Sequence, residues 1–202
     1  MNWNWFKKIQ KDAPQFWENY LASFSNSETI KNRYVVFDCE TTGLNTKNDR
    51  ILSIGAVSIV DNQIKVEDSF SMFLKQDIFK RESVPIHGIL KEGIEEKYVE
   101  AEAIIRFLEF IKNATLVGHH ASFDIEMVNQ ALKRLEVGKL KNQYMDTDIM
   151  YQKLKHYSSE EHTSLDELCD VFKIKKSDRH TASGDAFITA LVFLKLKRKL
   201  EI

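Results

Sequence analysis

The order of apolar and polar residues divides most of the chain into short strands and helices. Residues 33–38 and 50–60 are apolar runs rich in β-branched and aromatic side chains, a pattern typical of buried strands. Asp61 and Asn62 mark a turn, and residues 64–74 supply a third strand. Three consecutive strands with short connections predict an antiparallel meander.

Farther along, apolar residues recur at helical spacing between two more short strands. Residues 101–111 predict a helix, residues 115–118 a fourth strand and residues 143–145 a fifth strand. The helix after the fourth strand has one apolar stripe, made of Ile125, Val128, Leu132 and Leu135. The last helix covers residues 181–199. This order predicts an α/β domain with a mixed five-stranded sheet flanked by helices.

Polar residues in front of the helical segments predict N-terminal caps. Ser164 and Glu167 form a capping-box pattern that opens one helix, with the pair one residue earlier as an overlapping alternative. Asp146 and Asp148 follow the predicted fifth strand. At that place a cap for the next helix is favoured over a pair of metal ligands.

Two polar stretches near the C-terminal end predict solvated loops. Residues 160–162 are charged and lie among serines, and a loop that borders a substrate channel is the alternative. A basic run comes just before His180, and it is either solvated or placed to meet substrate phosphates. Its members are Lys173, Lys175, Lys176 and Arg179.

Residues 1–30 differ from the rest in their density of aromatic residues. We therefore predict an N-terminal helical extension, followed by a domain that spans residues 31–202. Asp12 and Pro14 are typical of a cap and a first-turn proline, so two short amphipathic helices are expected. Their aromatic side chains either pack onto the domain or form a docking surface for a partner. The apolar members are Trp3, Trp5, Phe6 and Ile9, followed by Phe16, Trp17, Tyr20, Leu21 and Phe24.

Composition narrows the class of protein. The 202 residues are 43% hydrophobic with only 7 glycines and 2 prolines, which favours one compact domain. The net charge of −1 provides no global field for nucleic acid, so such contacts depend on local basic patches and bound metal. Cys39 and Cys169 form neither a disulfide framework nor a zinc-binding spacing. With no apolar stretch of membrane-spanning length, we expect a soluble cytoplasmic protein with no membrane partner.

The first predicted strand ends in a pair of carboxylates. Side chains alternate along a strand, so Asp38 and Glu40 lie on one face while Cys39 lies on the other. Two adjacent anions at the end of an apolar strand repel each other unless a cation joins them. Residues 41–43 then turn the chain and offer backbone N–H groups. The pattern suits a divalent metal that also holds an anionic substrate.

Two further acids and one histidine fit the same chemistry. Asp124 begins a helix after a strand, where an ordinary first-turn aspartate is the simpler explanation. Asp185 lies among apolar residues, which is unusual for an unpaired charge, and His180 precedes it by about one and a half helical turns. Phosphodiester hydrolysis needs charge neutralisation and an activated water, which two divalent ions and a histidine can supply. Oxygen ligands favour Mg²⁺ or Mn²⁺.

These motifs resemble those of the DnaQ-like 3′–5′ exonucleases of the DEDDh type, over residues 33–198. The matching segments are 38–43, 118–124 and 180–185. Residues 84–89 and 164–168 also resemble segments of the proofreading subunits of bacterial replicative polymerases. The resemblance implies a ribonuclease-H-like fold.

The resemblance also implies roles for five residues. Asp38, Glu40 and Asp185 would hold the metal nearer the nucleophile, and Asp38 would bridge to a second ion anchored by Asp124. His180 would take the proton from the attacking water. The sister branch that uses tyrosine as base has it at the position of Thr181, which favours the histidine branch.

A third implication concerns the substrate. Residues 41–44 would grip the 3′-terminal nucleotide, with Leu44 wedged against the last base. The family often has asparagine where this chain has His120, and His119 is expected to be structural. His87 and Phe123 are expected to pack near the site. The substrate-contacting set is therefore Thr41, Thr42, Gly43, Leu44, His87, His120 and Phe123.

The expected activity is metal-dependent 3′–5′ hydrolysis of single-stranded DNA or frayed 3′ ends. Two Mg²⁺ or Mn²⁺ ions would serve as cofactors, and the products would be nucleoside 5′-monophosphates. Proofreading or repair is the expected setting, with a DNA polymerase subunit as a further partner. One alternative is an exoribonuclease of the ribonuclease T or oligoribonuclease kind. The other is a non-catalytic nucleic-acid-binding scaffold.

Overall fold

The computed structural model describes residues 13–25, 33–158 and 160–202. Six strands and seven α-helices occur in this part of the chain, with one short 3₁₀ helix at Arg81–Ser83. The strands are β1 (Tyr34–Thr41), β2 (Ile51–Val60), β3 (Gln63–Lys75), β4 (Lys97–Val99), β5 (Thr115–Gly118) and β6 (Tyr144–Asp146). The helices are α1 (Gln15–Ala22), α2 (Val84–His87), α3 (Glu100–Ile111), α4 (Ala121–Arg134), α5 (Thr147–Lys155), α6 (Leu165–Phe172) and α7 (Ala182–Leu200).

All six strands form one mixed sheet in the order β4-β3-β2-β1-β5-β6. The predicted antiparallel meander is confirmed for β1, β2 and β3, while β5 and β6 add in parallel beyond β1. The expected count of five strands is wrong, because β4 pairs in parallel with the outer side of β3. A strand of only three residues is too short to show an alternating pattern.

Helices cover both faces of the sheet, and β1 divides its side chains between them. Val35 and Phe37 belong to the core formed with α1, α3 and α4, where Phe107 is fully buried. Val36 belongs to the second core, which α5, α6 and α7 build around Phe193. Because side chains alternate, Asp38 continues the face that α7 covers. The sheet thereby turns its acidic residues toward the start of α7.

Helix α7 approaches β2 closely because Gly55 has no side chain. A Cβ at this position would overlap backbone atoms of Ala182 and Ser183. Gly55 also lies directly opposite Asp38 in the β1–β2 register. The glycine therefore brings the first turn of α7 against the sheet beside the acidic strand end.

We expect Gly55→Ala to destabilise the fold and to displace the start of α7. Overpacking of this kind costs about 1–3 kcal/mol, and the displacement would also move Asp185. Urea denaturation measures the free energy of unfolding. An alanine variant as stable as the wild-type protein would contradict the close approach.

The predicted helix near the N-terminus is present as α1, and it packs onto the domain. Trp17 and Tyr20 are 7% and 3% exposed. The Tyr20 hydroxyl donates to Asn142 Oδ1 at 2.7 Å and accepts the N–H of Lys141 at 2.7 Å. Burial raises the pKa of Tyr20 to about 12. The other predicted helix, with Trp3, lies outside the described residues.

The boundary predicted at residue 31 also lies outside the described residues and stays a prediction. Within the part of the chain that the structure describes, no helix is both long and apolar enough to cross a membrane.

Candidate active site

Three carboxylates meet where the end of β1 faces the start of α7. Asp38, Glu40 and Asp185 each place one oxygen within 4.8 Å of the other two, and we call them the carboxylate cluster. Asp185 is 7% exposed, whereas Asp38 and Glu40 are half-buried. Asp38 and Asp185 are 147 positions apart in the sequence. The motifs assigned them to one site, and the structure brings them together.

The first turn of α7 is fixed by its cap. Thr181 Oγ1 accepts the N–H of Gly184 at 3.1 Å and donates to the carbonyl of Asp178 at 2.7 Å. The backbone N–H of Asp185 donates to the Thr181 carbonyl at 2.9 Å. Thr181 is therefore the N-cap residue of α7. This role agrees with the expectation that Thr181 does not act as the base.

Asp124 reaches β1 from the opposite side. Its carboxyl group lies in the first turn of α4, is 5% exposed and accepts the backbone N–H of Cys39 at 3.0 Å. Cys39 stands between Asp38 and Glu40 in sequence. Although Asp124 is not one of the three clustered carboxylates, it approaches the same strand end.

Burial and mutual repulsion raise the pKa values of three of these acids. Burial, followed by the charge of Asp185, raises the pKa of Glu40 to about 7. Burial also raises the pKa of Asp124 to about 7, although the Cys39 N–H opposes the shift. Burial and the charges of its neighbours hold the pKa of Asp38 well above its usual range. Such strain is relieved by a cation, so a divalent ion fits this all-oxygen donor set.

This electrostatic strain predicts how the stability of the metal-free protein depends on pH. A carboxyl group with a raised folded-state pKa contributes stability below its unfolded value, about 4.5, and loses it as the pH rises through about 7. With metal removed by a chelator, we expect the melting temperature of wild type, relative to that of Glu40→Gln, to decrease as the pH rises from about 4.5 to about 7. Added Mg²⁺ should raise the wild-type melting temperature more at pH 8 than at pH 5. A difference in melting temperature between wild type and Glu40→Gln that stays constant across this pH range would contradict the raised pKa of Glu40.

His180 lies at the entrance of α7 in a left-handed backbone conformation, with φ of 61°. Its backbone N–H donates to Asp185 Oδ2 at 3.3 Å, and its side chain is exposed. The backbone of the predicted base is therefore tied to the carboxylate cluster, while its imidazole is accessible to solvent.

Arg179 is a site residue that the sequence reasoning placed only in a basic run. Its Nη1 forms an ion pair with Asp185, and its Nε and Nη2 donate to Asp166 at 3.0 and 3.3 Å. The side chain is 16% exposed. By contrast, Lys176 pairs with Asp170 at the surface at 2.9 Å. The only sequence signal for Arg179 was its position immediately before His180.

A buried aspartate that the sequence reasoning missed fixes the turn after β1. Thr42 Oγ1 donates to Asp49 Oδ1 at 2.8 Å, and Lys80 forms an ion pair with the same oxygen at 2.5 Å. Thr41 Oγ1 donates to the carbonyl of Gly43 at 2.9 Å. Leu44, at the tip, is 86% exposed. The turn is thus rigid at its base and presents an apolar side chain at its end.

Three more residues were expected to contact substrate, and each lies in a different part of the structure. His87 is buried, accepts the N–H of Ile89 and lines a cavity of about 160 Å³ beside Ser183. Phe123 is half-buried against the core that contains Phe37. His120 precedes α4 as its N-cap residue.

The predicted capping roles are confirmed for Asp146 and for Ser164 with Glu167, whereas Asp148 lies inside α5 and caps nothing. Asp146 accepts the N–H groups of Asp148, His120 and Ala121 at 2.9, 3.2 and 2.8 Å. It thereby caps α5 and also holds the turn before α4. The capping box at the start of α6 is present as well.

Comparison with known proteins identifies the family. The family model described as Exonuclease matches residues 35–193. The chain belongs to the exonuclease family. This membership confirms the resemblance that the three acidic motifs carried.

Curated relatives of this exonuclease chain include two kinds of DNA polymerase III protein. The PolC-type protein of Caldanaerobacter subterraneus is 36% identical over 192 residues, which cover 90% of this chain and 13% of the relative. The epsilon subunit of Salmonella typhimurium is 34% identical over 176 residues, covering 82% of this chain and 72% of that subunit. The chain therefore spans about an eighth of the length of the PolC-type relative.

Solved structures confirm the ribonuclease-H-like fold. Exonuclease I of E. coli in complex with a dT13 oligonucleotide superimposes with a TM-score of 0.72 at 17% identity. The match covers 85% of this chain and 42% of that protein. Exonuclease X in complex with 5′ overhanging duplex DNA matches with a TM-score of 0.64 over 84% of this chain.

Proposed function

We propose that this chain is a metal-dependent 3′–5′ exonuclease that removes nucleoside 5′-monophosphates from single-stranded DNA. The observation that carries the proposal is the convergence of Asp38, Glu40 and Asp185, with Asp124 against the same strand. A structural role alone does not explain why Asp38, Glu40 and Asp124, whose pKa values are raised, lie together at the end of β1.

The donor set supports a pair of Mg²⁺ or Mn²⁺ ions. Asp38, Glu40 and Asp185 would hold one ion, and Asp38 with Asp124 would hold the other. Bound there, the ions would neutralise the charge on the scissile phosphate and assist both the attacking and the leaving oxygen. Because every donor is a carboxylate oxygen, hard divalent ions fit better than zinc.

The protein groups around these acids then have separate tasks. The exposed imidazole of His180 accepts the proton of the attacking water, since histidine exchanges protons near neutral pH. Arg179 balances the charge of Asp185 and is held in place by Asp166. The turn of residues 41–44 positions the 3′-terminal nucleotide through its backbone N–H groups and Leu44.

Leu44 provides a test of the 3′-end contact. We expect Leu44→Ala to raise KM for single-stranded DNA about 10- to 100-fold, since covering an exposed leucine side chain contributes about 1.5–3 kcal/mol. The side chain is 86% exposed, so stability should hardly change. Val66→Ala, at an exposed valine on β3, is the matched control. Equal KM values for both variants and wild type would remove Leu44 from the binding site.

Two observations favour DNA over RNA. The relatives are named as DNA polymerase III proteins, and residues 84–89 resemble a segment of proofreading subunits. We further propose that the chain works with a DNA polymerase subunit, as part of proofreading or repair. Co-purification with a polymerase catalytic subunit tests this partner.

The activity is tested on 5′-labelled DNA and RNA oligomers, each with a free or a blocked 3′ end. We expect Mg²⁺-dependent shortening of the free DNA one nucleotide at a time and protection by the block. Internal cleavage of the blocked oligomer would contradict the exonuclease assignment. A clear preference for RNA would overturn the choice of substrate.

A further inference from the structure

A second cluster of metal-ligating side chains lies at the start of α4, outside the carboxylate cluster. It consists of His120, Asp148 and His162, which each offer one ligand atom within 4.8 Å of the other two. We infer that this cluster binds a divalent transition-metal ion of the Zn²⁺ class. The inference does not depend on the proposed nuclease activity.

Asp148 supplies a carboxylate that is fixed from the protein side. Its side chain is 1% exposed. Oδ1 accepts the N–H of Thr163 at 2.9 Å, and Oδ2 accepts from Gln152 Nε2 at 3.3 Å. Oδ2 also lies 2.6 Å from His162 Nδ1 and 3.8 Å from His120 Nδ1. One buried oxygen therefore stands between two imidazoles.

The two histidines come from different parts of the chain and remain open to solvent. His120 adopts φ of 58°, a left-handed conformation that few non-glycine residues take, and Asp146 holds its backbone N–H at 3.2 Å. His162 comes from the loop between α5 and α6. The ring centroids are 5.6 Å apart, and the side chains are 51% and 61% exposed. An ion can therefore reach both rings from solvent.

Only small shifts separate this arrangement from a coordination geometry. Zinc lies about 2.0–2.2 Å from nitrogen and oxygen ligands, so tetrahedral ligand atoms are about 3.3 Å apart. The 2.6 Å contact between His162 and Asp148 would lengthen, and the 3.8 Å contact between His120 and Asp148 would shorten. Each of these two changes is smaller than 1 Å. The ligand atoms of the two histidines, which lie within 4.8 Å of each other, would also move to about this separation.

The donor types separate this site from the carboxylate cluster. Imidazole nitrogens favour zinc, copper, iron and nickel, whereas carboxylates alone favour Mg²⁺ and Mn²⁺. Three protein ligands leave a fourth position for water. A bound ion would connect the loop that carries His162 to the start of α4, whose first turn carries Asp124.

The test is titration of chelator-treated protein with Zn²⁺ and with Co²⁺ in excess Mg²⁺. Calorimetry measures Zn²⁺ affinity, and the visible absorption of Co²⁺ reports its coordination. The variants are His120→Asn and His162→Asn. His156→Asn, at an exposed histidine with φ of 57° outside the cluster, is the matched control. Asp38→Asn reports whether the ion enters the carboxylate cluster instead.

We expect one equivalent of Zn²⁺ to bind wild type, His156→Asn and Asp38→Asn alike. Loss of either cluster histidine should weaken binding at least ~100-fold, since removing even an outer partner of a metal ligand costs 10- to 100-fold. Bound Zn²⁺ should also raise the melting temperature of wild type. Wild-type protein that takes up no stoichiometric Zn²⁺ would overturn the inference. Affinity kept by both histidine variants, or lost in Asp38→Asn, would also overturn it.

Discussion

Asp38→Asn should lower kcat on single-stranded DNA at least ~10³-fold, a loss of about 4 kcal/mol of transition-state stabilisation. Asp38 is the acid assigned to both ions, and asparagine keeps its shape while removing the charge. The substitution should also leave the metal-free protein at least as stable at pH 8, because the Asp38 carboxylate repels Asp124, Asp185 and Glu40. A single-turnover assay and a melting curve in chelator measure the two effects.

The control is Asp170→Asn, which removes a carboxylate of the same size from the exposed pair with Lys176. We expect this variant to keep wild-type activity, since surface ion pairs contribute little. If Asp38→Asn degrades the oligomer as fast as Asp170→Asn does, the carboxylate cluster is not the catalytic site.

His180→Asn should lower kcat about 10²- to 10⁴-fold with little change in KM, the range expected when a general base is lost. Asparagine is the suitable replacement because it tolerates the left-handed backbone at this position. It also keeps the backbone N–H that donates to Asp185. The loss would therefore report the imidazole and not a displaced helix start.

His156→Asn is again the matched control, because His156 is also exposed and left-handed. If His156→Asn keeps full activity while His180→Asn has a low kcat, the loss of rate is specific to His180 and is not a general effect of losing a histidine. Equal kcat values for both variants, measured where chemistry limits the rate, would remove His180 from its role.

Local physical rules predicted the parts of the site that depend on neighbouring residues. Strand alternation placed Asp38 and Glu40 on one face, and the caps at Asp146 and Ser164 followed from short-range hydrogen bonding. The convergence of Asp124 and Asp185 with β1 is a long-range property of the topology, so only the resemblance to a known family pointed to it.

Other features could not be predicted, either because the interacting residues are distant in the sequence or because the segment is too short to show a periodic pattern. Arg179 looks like any loop arginine until the fold brings it to Asp166 and Asp185. Asp49 looks like a turn residue until Lys80 joins it. Strand β4 has too few residues to show a period, and it is held by pairing with β3.

The most direct test of the account is a crystal soaked in Mn²⁺ and measured for anomalous scattering. We predict two peaks at the end of β1, one among the oxygens of Asp38, Glu40 and Asp185, and one between Asp38 and Asp124. An anomalous map without density at this strand end, under conditions in which the protein shortens DNA, would contradict the account.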